Sequence, residues 1–144
     1  MHKPEEPVVP VEPEDPEGRE VWFLNREVLV VRPREPFLEW AISTDDDGVV
    51  DPEWVRNWVT SFLLPQFETE EEALAGIREY CEVIFELLLT DWILLPELWP
   101  EDRGWEAFQR WFSFERIEIA WDLVDAPLSS DPPLPDWEGP LVDA

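Results

Sequence analysis

The spacing of apolar residues changes along the chain, and each change marks an element. Val28-Leu29-Val30-Val31 is a β-branched-rich run closed by Arg32-Pro33, and a short continuous apolar run of this kind reads as a buried strand. Pro36 opens a short helix through Trp40 and Ile42, since proline suits the first helical turn, where its missing N–H costs nothing. The turn Asp45-Asp46-Asp47-Gly48 ends it. Pro52 to Trp58 is compatible with a helical turn, whereas Trp58-Val59-Thr60-Ser61-Phe62-Leu63-Leu64 before Pro65 reads as a second strand.

The clearest pattern comes next. Thr69 with Glu72 three residues later has the form of a capping box. Leu74, Ile77, Cys81, Ile84, Phe85, Leu88 and Trp92 then recur at intervals of three and four, which predicts one apolar stripe on a helix of about six or seven turns. Pro96 and Pro100 bracket a break, and Trp105, Phe108, Trp111 and Phe112 line one face of a shorter helix. The period then falls to two. Ile117, Ile119, Trp121 and Leu123 alternate with Arg116, Glu118, Ala120 and Asp122, as in a third strand with one wet face. The order β-α-β-α-α-β predicts an α+β domain over residues 21–125, with a small antiparallel three-stranded sheet packed by helices.

Both ends differ from this body. Residues 1–20 carry proline at 4, 7, 10, 13 and 16 with acids between them, a period of three that matches the polyproline II turn. Like charges extend such an arm, so residues 1–20 read as a spacer rather than a docking peptide, which would carry a basic residue beside its core. Residues 126–144 form a second acidic, proline-rich tail with no basic residue and a lone Trp137.

Composition narrows the function more than it identifies it. The chain of 144 residues has 35 acidic and 10 basic residues, net −25, and residues 21–125 alone carry 24 acids against 8 arginines, net −16. The acidity therefore belongs to the folded body as well as the arms. A surface of this sign repels nucleic-acid phosphates and anionic lipid, so neither direct nucleic-acid binding nor membrane binding is expected. With no signal-peptide pattern and one cysteine, Cys81, the chain reads as cytoplasmic. Cys81 lies on the apolar stripe and the single histidine, His2, in an arm, so no nucleophile–base pair, His-based metal site or cofactor is expected. Asp45-Asp46-Asp47-Gly48 resembles a calcium loop only superficially, since the register puts Trp54 where a bidentate glutamate is needed.

On the wet face of the long helix, Glu79, Glu82 and Glu86 stand at spacings of three and four with only Arg78 nearby, an arrangement that costs a few tenths of a kcal/mol per pair. Trp99, in Leu98-Trp99-Pro100 between two helices, is expected to be partly exposed. These four residues form the candidate interaction surface. Arg32-Pro33 with Pro36-Phe37-Leu38-Glu39-Trp40, Leu98-Trp99-Pro100, Arg103 and Ile119 to Leu123 together resemble a family of small acidic bacterial proteins of unknown function. The resemblance covers about residues 25–125 and implies a compact bacterial cytoplasmic domain without a catalytic assignment. The expected function is a non-enzymatic acidic protein that acts by protein–protein contact, with a basic partner or a second copy of itself. The alternatives are a carboxylate-based or cation-dependent enzyme, and a DNA-mimic inhibitor whose carboxylates imitate phosphates.

Overall fold

The computed structural model describes residues 16–133. The polyproline reading of residues 1–15 and Trp137 of the tail lie outside them. In chain order the elements are β1 (Trp22–Phe23), β2 (Glu27–Pro33), α1 (Glu35–Ser43), α2 (Pro52–Arg56), β3 (Thr60–Leu64), α3 (Glu70–Trp92), a 3-10 turn (Pro96–Leu98), α4 (Trp105–Trp111), β4 (Phe112–Ile117) and β5 (Trp121–Asp122). The protein is α+β, with an antiparallel sheet in the order β3-β2-β4 and a separate two-stranded ladder of β1 with β5.

Local chemistry sets the helix starts. Pro36 and Pro52 stand in the first turns of α1 and α2, and the Asp51 carboxylate accepts the Glu53 N–H at 3.0 Å. Thr69 Oγ1 accepts the Glu72 N–H at 3.0 Å, while Glu72 reaches back one residue further than a standard capping box and accepts from Glu68 N–H. Glu70, Glu71 and Glu72 all lie at the positive end of the α3 dipole.

Strand β2 is central, and its alternation sends Glu27, Leu29 and Val31 inward and Val28, Val30 and Arg32 outward. Leu29 lies between Phe62 and Arg116, Val31 between Thr60 and Phe114, and Val28 between Leu63 and Ile117. The helices pack on the Leu29 and Val31 side, where Phe37, Leu38, Ala41, Val55, Ile77, Cys81, Phe85, Leu89, Phe108 and Phe112 close the core. Phe37 is fully buried and meets five rings, those of Trp40, Trp58, Trp92, Trp111 and Phe112, at centroid distances of 5.4–6.3 Å. A 17.0 kDa chain rich in tryptophan thus spends its large rings on one another, with tilted and edge-on contacts that suit aromatic quadrupoles.

Two expectations need correction. The third strand begins at Phe112, expected on α4, and pauses after Ile117; Trp121–Asp122 then pairs with β1 instead of extending it. Its inward face is also the opposite one. Phe112 and Phe114 occupy the core side, so the alternation carries Arg116 inward and leaves Ile117 outward, while Ile119, Trp121 and Leu123 are exposed. On α3, Leu74 is exposed and Ala73 is buried in its place. The Phe67 ring sits so close to α3 that a Cβ at Gly76 would lie 2.5 Å from it, and at this end the helix turns small residues to its neighbours.

Glu27 is the one buried charged residue among those described, at 3 % exposure. Arg116 grips it through two parallel bonds, Nε to Oε1 at 2.7 Å and Nη2 to Oε2 at 3.0 Å, and Glu27 Oε2 also accepts the Phe67 N–H at 2.9 Å. Arg116 further reaches Glu70 at 3.1 Å, so one cation ties β2, β4 and the entry to α3. Burial alone would raise the Glu27 carboxyl, but the Arg116 hydrogen bond, the Phe67 amide and the Arg116 charge outweigh it and hold the group below its usual 4.5. A carboxyl depressed in the folded state adds stability above its ordinary value, and that stability is lost as pH falls through the folded value. Glu27→Gln should therefore cost about 3 kcal/mol in urea unfolding at neutral pH. The gap between variant and wild type should narrow as pH drops below 4.5; a gap independent of pH would show that the pair contributes through shape rather than charge.

Candidate interaction surface

The long helix α3 buries Ala73, Ile77, Cys81, Ile84, Phe85, Leu88 and Leu89, and the residues left over form two parallel rows on its solvent side. One row is acidic: Glu79, Glu82 and Glu86. The second, one residue on, is apolar: Tyr80, Val83 and Leu87, with exposures of 38, 56 and 51 %. Each row advances by three and then four residues, so both follow the helix axis for about 10 Å and lie side by side. The periodicity of the sequence does not reveal the apolar row, because the core stripe absorbs it. The signal that could have found it is the pair of contiguous triplets Val83-Ile84-Phe85 and Leu87-Leu88-Leu89, which give the helix more apolar circumference than one buried stripe uses.

Two of the four candidate residues meet through a third. Arg103 Nε bonds Glu86 Oε2 at 3.2 Å, its Nη1 donates to the Pro100 carbonyl at 2.6 Å, and its guanidinium lies 5.7 Å from the centre of the half-buried Trp99 ring. Glu86 is thereby compensated. Among the described residues Glu79 and Glu82 remain exposed without an ion pair, as does Arg78 beside them, while Glu79 and Arg78 also line an open hollow of ≈ 580 Å³ between Phe67 and α3. Two uncompensated carboxylates three residues apart span about 4.5 Å of helix axis, little more than one ~3.4 Å phosphate step on a nucleic-acid strand. The acidic row is therefore short for a phosphate mimic.

Trp99 belongs to a set of indoles whose N–H groups fasten the segment between α3 and α4 and tie the end of α3 itself to α1. Trp99 Nε1 donates to the Ile93 carbonyl at 3.0 Å, Trp40 Nε1 to the Leu98 carbonyl at 2.8 Å and Trp92 Nε1 to Thr44 Oγ1 at 3.0 Å. This fixes Trp99 and Arg103 against the end of α3, so the candidate surface is carried by packed elements.

The acidic turn and the cysteine are accounted for by structure. Asp45 Oδ2 accepts the Val50 N–H at 2.7 Å and Gly48 adopts φ 70°, so the turn closes on its own carboxylate. Among the described residues no three histidine, cysteine or carboxylate side chains converge as a metal-binding group. No helix there is long and apolar enough to cross a membrane. No family model, curated protein or solved structure matches the chain.

Cys81 is 4 % exposed in the core, and burial, followed by the charge of Glu82, pushes its thiol above the usual range. The folded protein should therefore react with an aromatic disulfide reagent at least about 100-fold more slowly than the urea-unfolded chain at the same pH. Comparable rates would place Cys81 at the surface and disprove its role in the core.

Proposed function

We propose that this protein is a non-enzymatic, cytoplasmic binding protein that captures a basic protein partner on the solvent face of α3. The observation that carries the reading is the pairing of an exposed apolar row, Tyr80, Val83 and Leu87, with exposed acids at Glu79 and Glu82 on one rigid helix. An apolar strip supplies the area-dependent part of binding, and the adjacent carboxylates select the sign of the partner and speed its approach. Competing readings draw less support from the geometry. Phosphate mimicry loses Glu86 to Arg103, and cation-dependent chemistry at the acidic turn loses an Asp45 oxygen to its own backbone.

The test is capture from source-cell lysate by the immobilised full chain, with elution by rising salt and identification by mass spectrometry. Basic proteins should bind the wild type and leave at moderate salt, since screening weakens such contacts. They should be lost from the double variant Glu79→Lys, Glu82→Lys but kept by Asp46→Lys, Asp47→Lys, which changes net charge by the same amount. Equal loss from both variants would reduce the interaction to bulk charge and refute a site on α3.

A further inference from the structure

All four helices contribute to the core on the Leu29 and Val31 side of the sheet, and on its other side Arg32, Ser61, Leu63, Glu115 and Ile117 are exposed. Three rows cross that open face. Leu63, Val28 and Ile117 form the first, Ser61, Val30 and Glu115 the second, and Arg32 with Ser113 the third. Leu63 and Ile117, on the two flanking strands, are 55 and 38 % exposed. Val28 and Val30, between those neighbours on the central strand, are half-buried. Antiparallel sheets commonly leave one face to solvent, but that face is then polar, and an exposed apolar row such as Leu63, Val28 and Ile117 marks a contact site.

Charge identifies the occupant. Arg32 Nη1 lies 3.3 Å from Glu115 Oε1, so the open face is neutral on a body of net −16. A basic partner finds no uncompensated carboxylate here. Two copies of the chain, which repel each other over the rest of their surfaces, meet on this face with no like charges opposed. The face is also self-complementary: it offers one cation and one anion, which a two-fold axis can exchange, Arg32 of one copy to Glu115 of the other. We infer that the open face of the β3-β2-β4 sheet is the contact of a symmetric homodimer, two sheets packed face to face. The footprint of three short strands lies at the small end of specific interfaces, so the association is reversible and weak. It goes beyond the capture of a basic partner on α3 and uses different residues.

The two contacts respond to salt in opposite directions, and this separates them. Salt screens the repulsion between two strongly acidic copies and strengthens the dimer, whereas it weakens a basic partner's hold on α3. Sedimentation of the full chain from ~5 to ~500 µM, in ~0.05 and ~0.5 M salt, should show the mean mass rising from 17.0 kDa toward twice that value, further at high salt. Leu63→Glu and Ile117→Glu should each hold the chain at the monomer mass throughout, with helical content and unfolding temperature of the wild type. If either lowers the unfolding temperature, the milder pair Leu63→Ser, Ile117→Thr must still weaken association by at least about tenfold. Glu79→Lys with Glu82→Lys should leave the dimer in place. A wild type that stays monomeric at the highest concentration and salt overturns the inference. So does a dimer that survives Ile117→Glu, which would move the contact to another edge or face.

Discussion

The two parallel hydrogen bonds between Glu27 and Arg116 are the constraint on which much of this molecule depends. In a chain with 35 acidic residues, one glutamate among those described is buried, and an arginine from a strand 89 residues later compensates it. A buried carboxylate without such a partner would be costly, so the pair admits few alternative registers. Once Arg116 turns inward, the pleat obliges Ile117 to turn outward, where it meets Val28 and Leu63. The charge pair thereby agrees with the inward Phe112 and Phe114 on the same strand, and together they set which side chains the sheet presents to its surroundings. The same arginine holds the entry to α3 through Glu70, and the helix that it positions carries the other exposed surface of interest.

The acid-rich exterior and aromatic interior are complementary solutions to one problem. Aliphatic side chains and four phenylalanines fill the buried core, tryptophans pack round it, and Phe37 at the centre of five aromatic contacts shows how densely the rings interlock. Indole suits this use because its apolar body packs while its N–H still finds an acceptor. The arginines are used with similar economy, since Arg32, Arg56, Arg103 and Arg116 each engage a carboxylate. The acids left without cations are what distinguish one face from another.

How much of the molecule is legible in its sequence depends on the range of the interactions involved. Helix α3 is legible because its cap, first-turn acids and apolar spacing are all local, and β2 because a β-branched run bounded by Arg32-Pro33 has few other uses. The faces of β4 are not, because alternation shows that two faces differ without saying which one meets the core; the choice belongs to Phe112 and Phe114, competing with Ile117 and Ile119. The two-residue pairing of β1 with β5 joins chain segments about a hundred residues apart and has no local signature. On the candidate surface, periodicity alone places Glu79 and Glu82 outward. The pairing of Glu86 with Arg103 is inaccessible to it, since that contact depends on how the segment after α3 folds back. Tyr80, Val83 and Leu87 escape notice because apolar residues at helical spacing are readily assigned to the core alone.

The segment from Ile93 to Gly104 joins α3 to α4 with one turn of 3-10 helix and no ladder of its own. It is held by the polar tips of tryptophans, including the Trp40 indole, which comes from 58 residues away. Its short-range bonds, from Trp99 to the Ile93 carbonyl and from Arg103 to the Pro100 carbonyl, shape it locally, whereas the Trp40 bond requires closure of a long loop. The face that carries Trp99 and Arg103 is thereby fastened to α1 through one indole, so a change at Trp40, remote in sequence, bears on how that face is set.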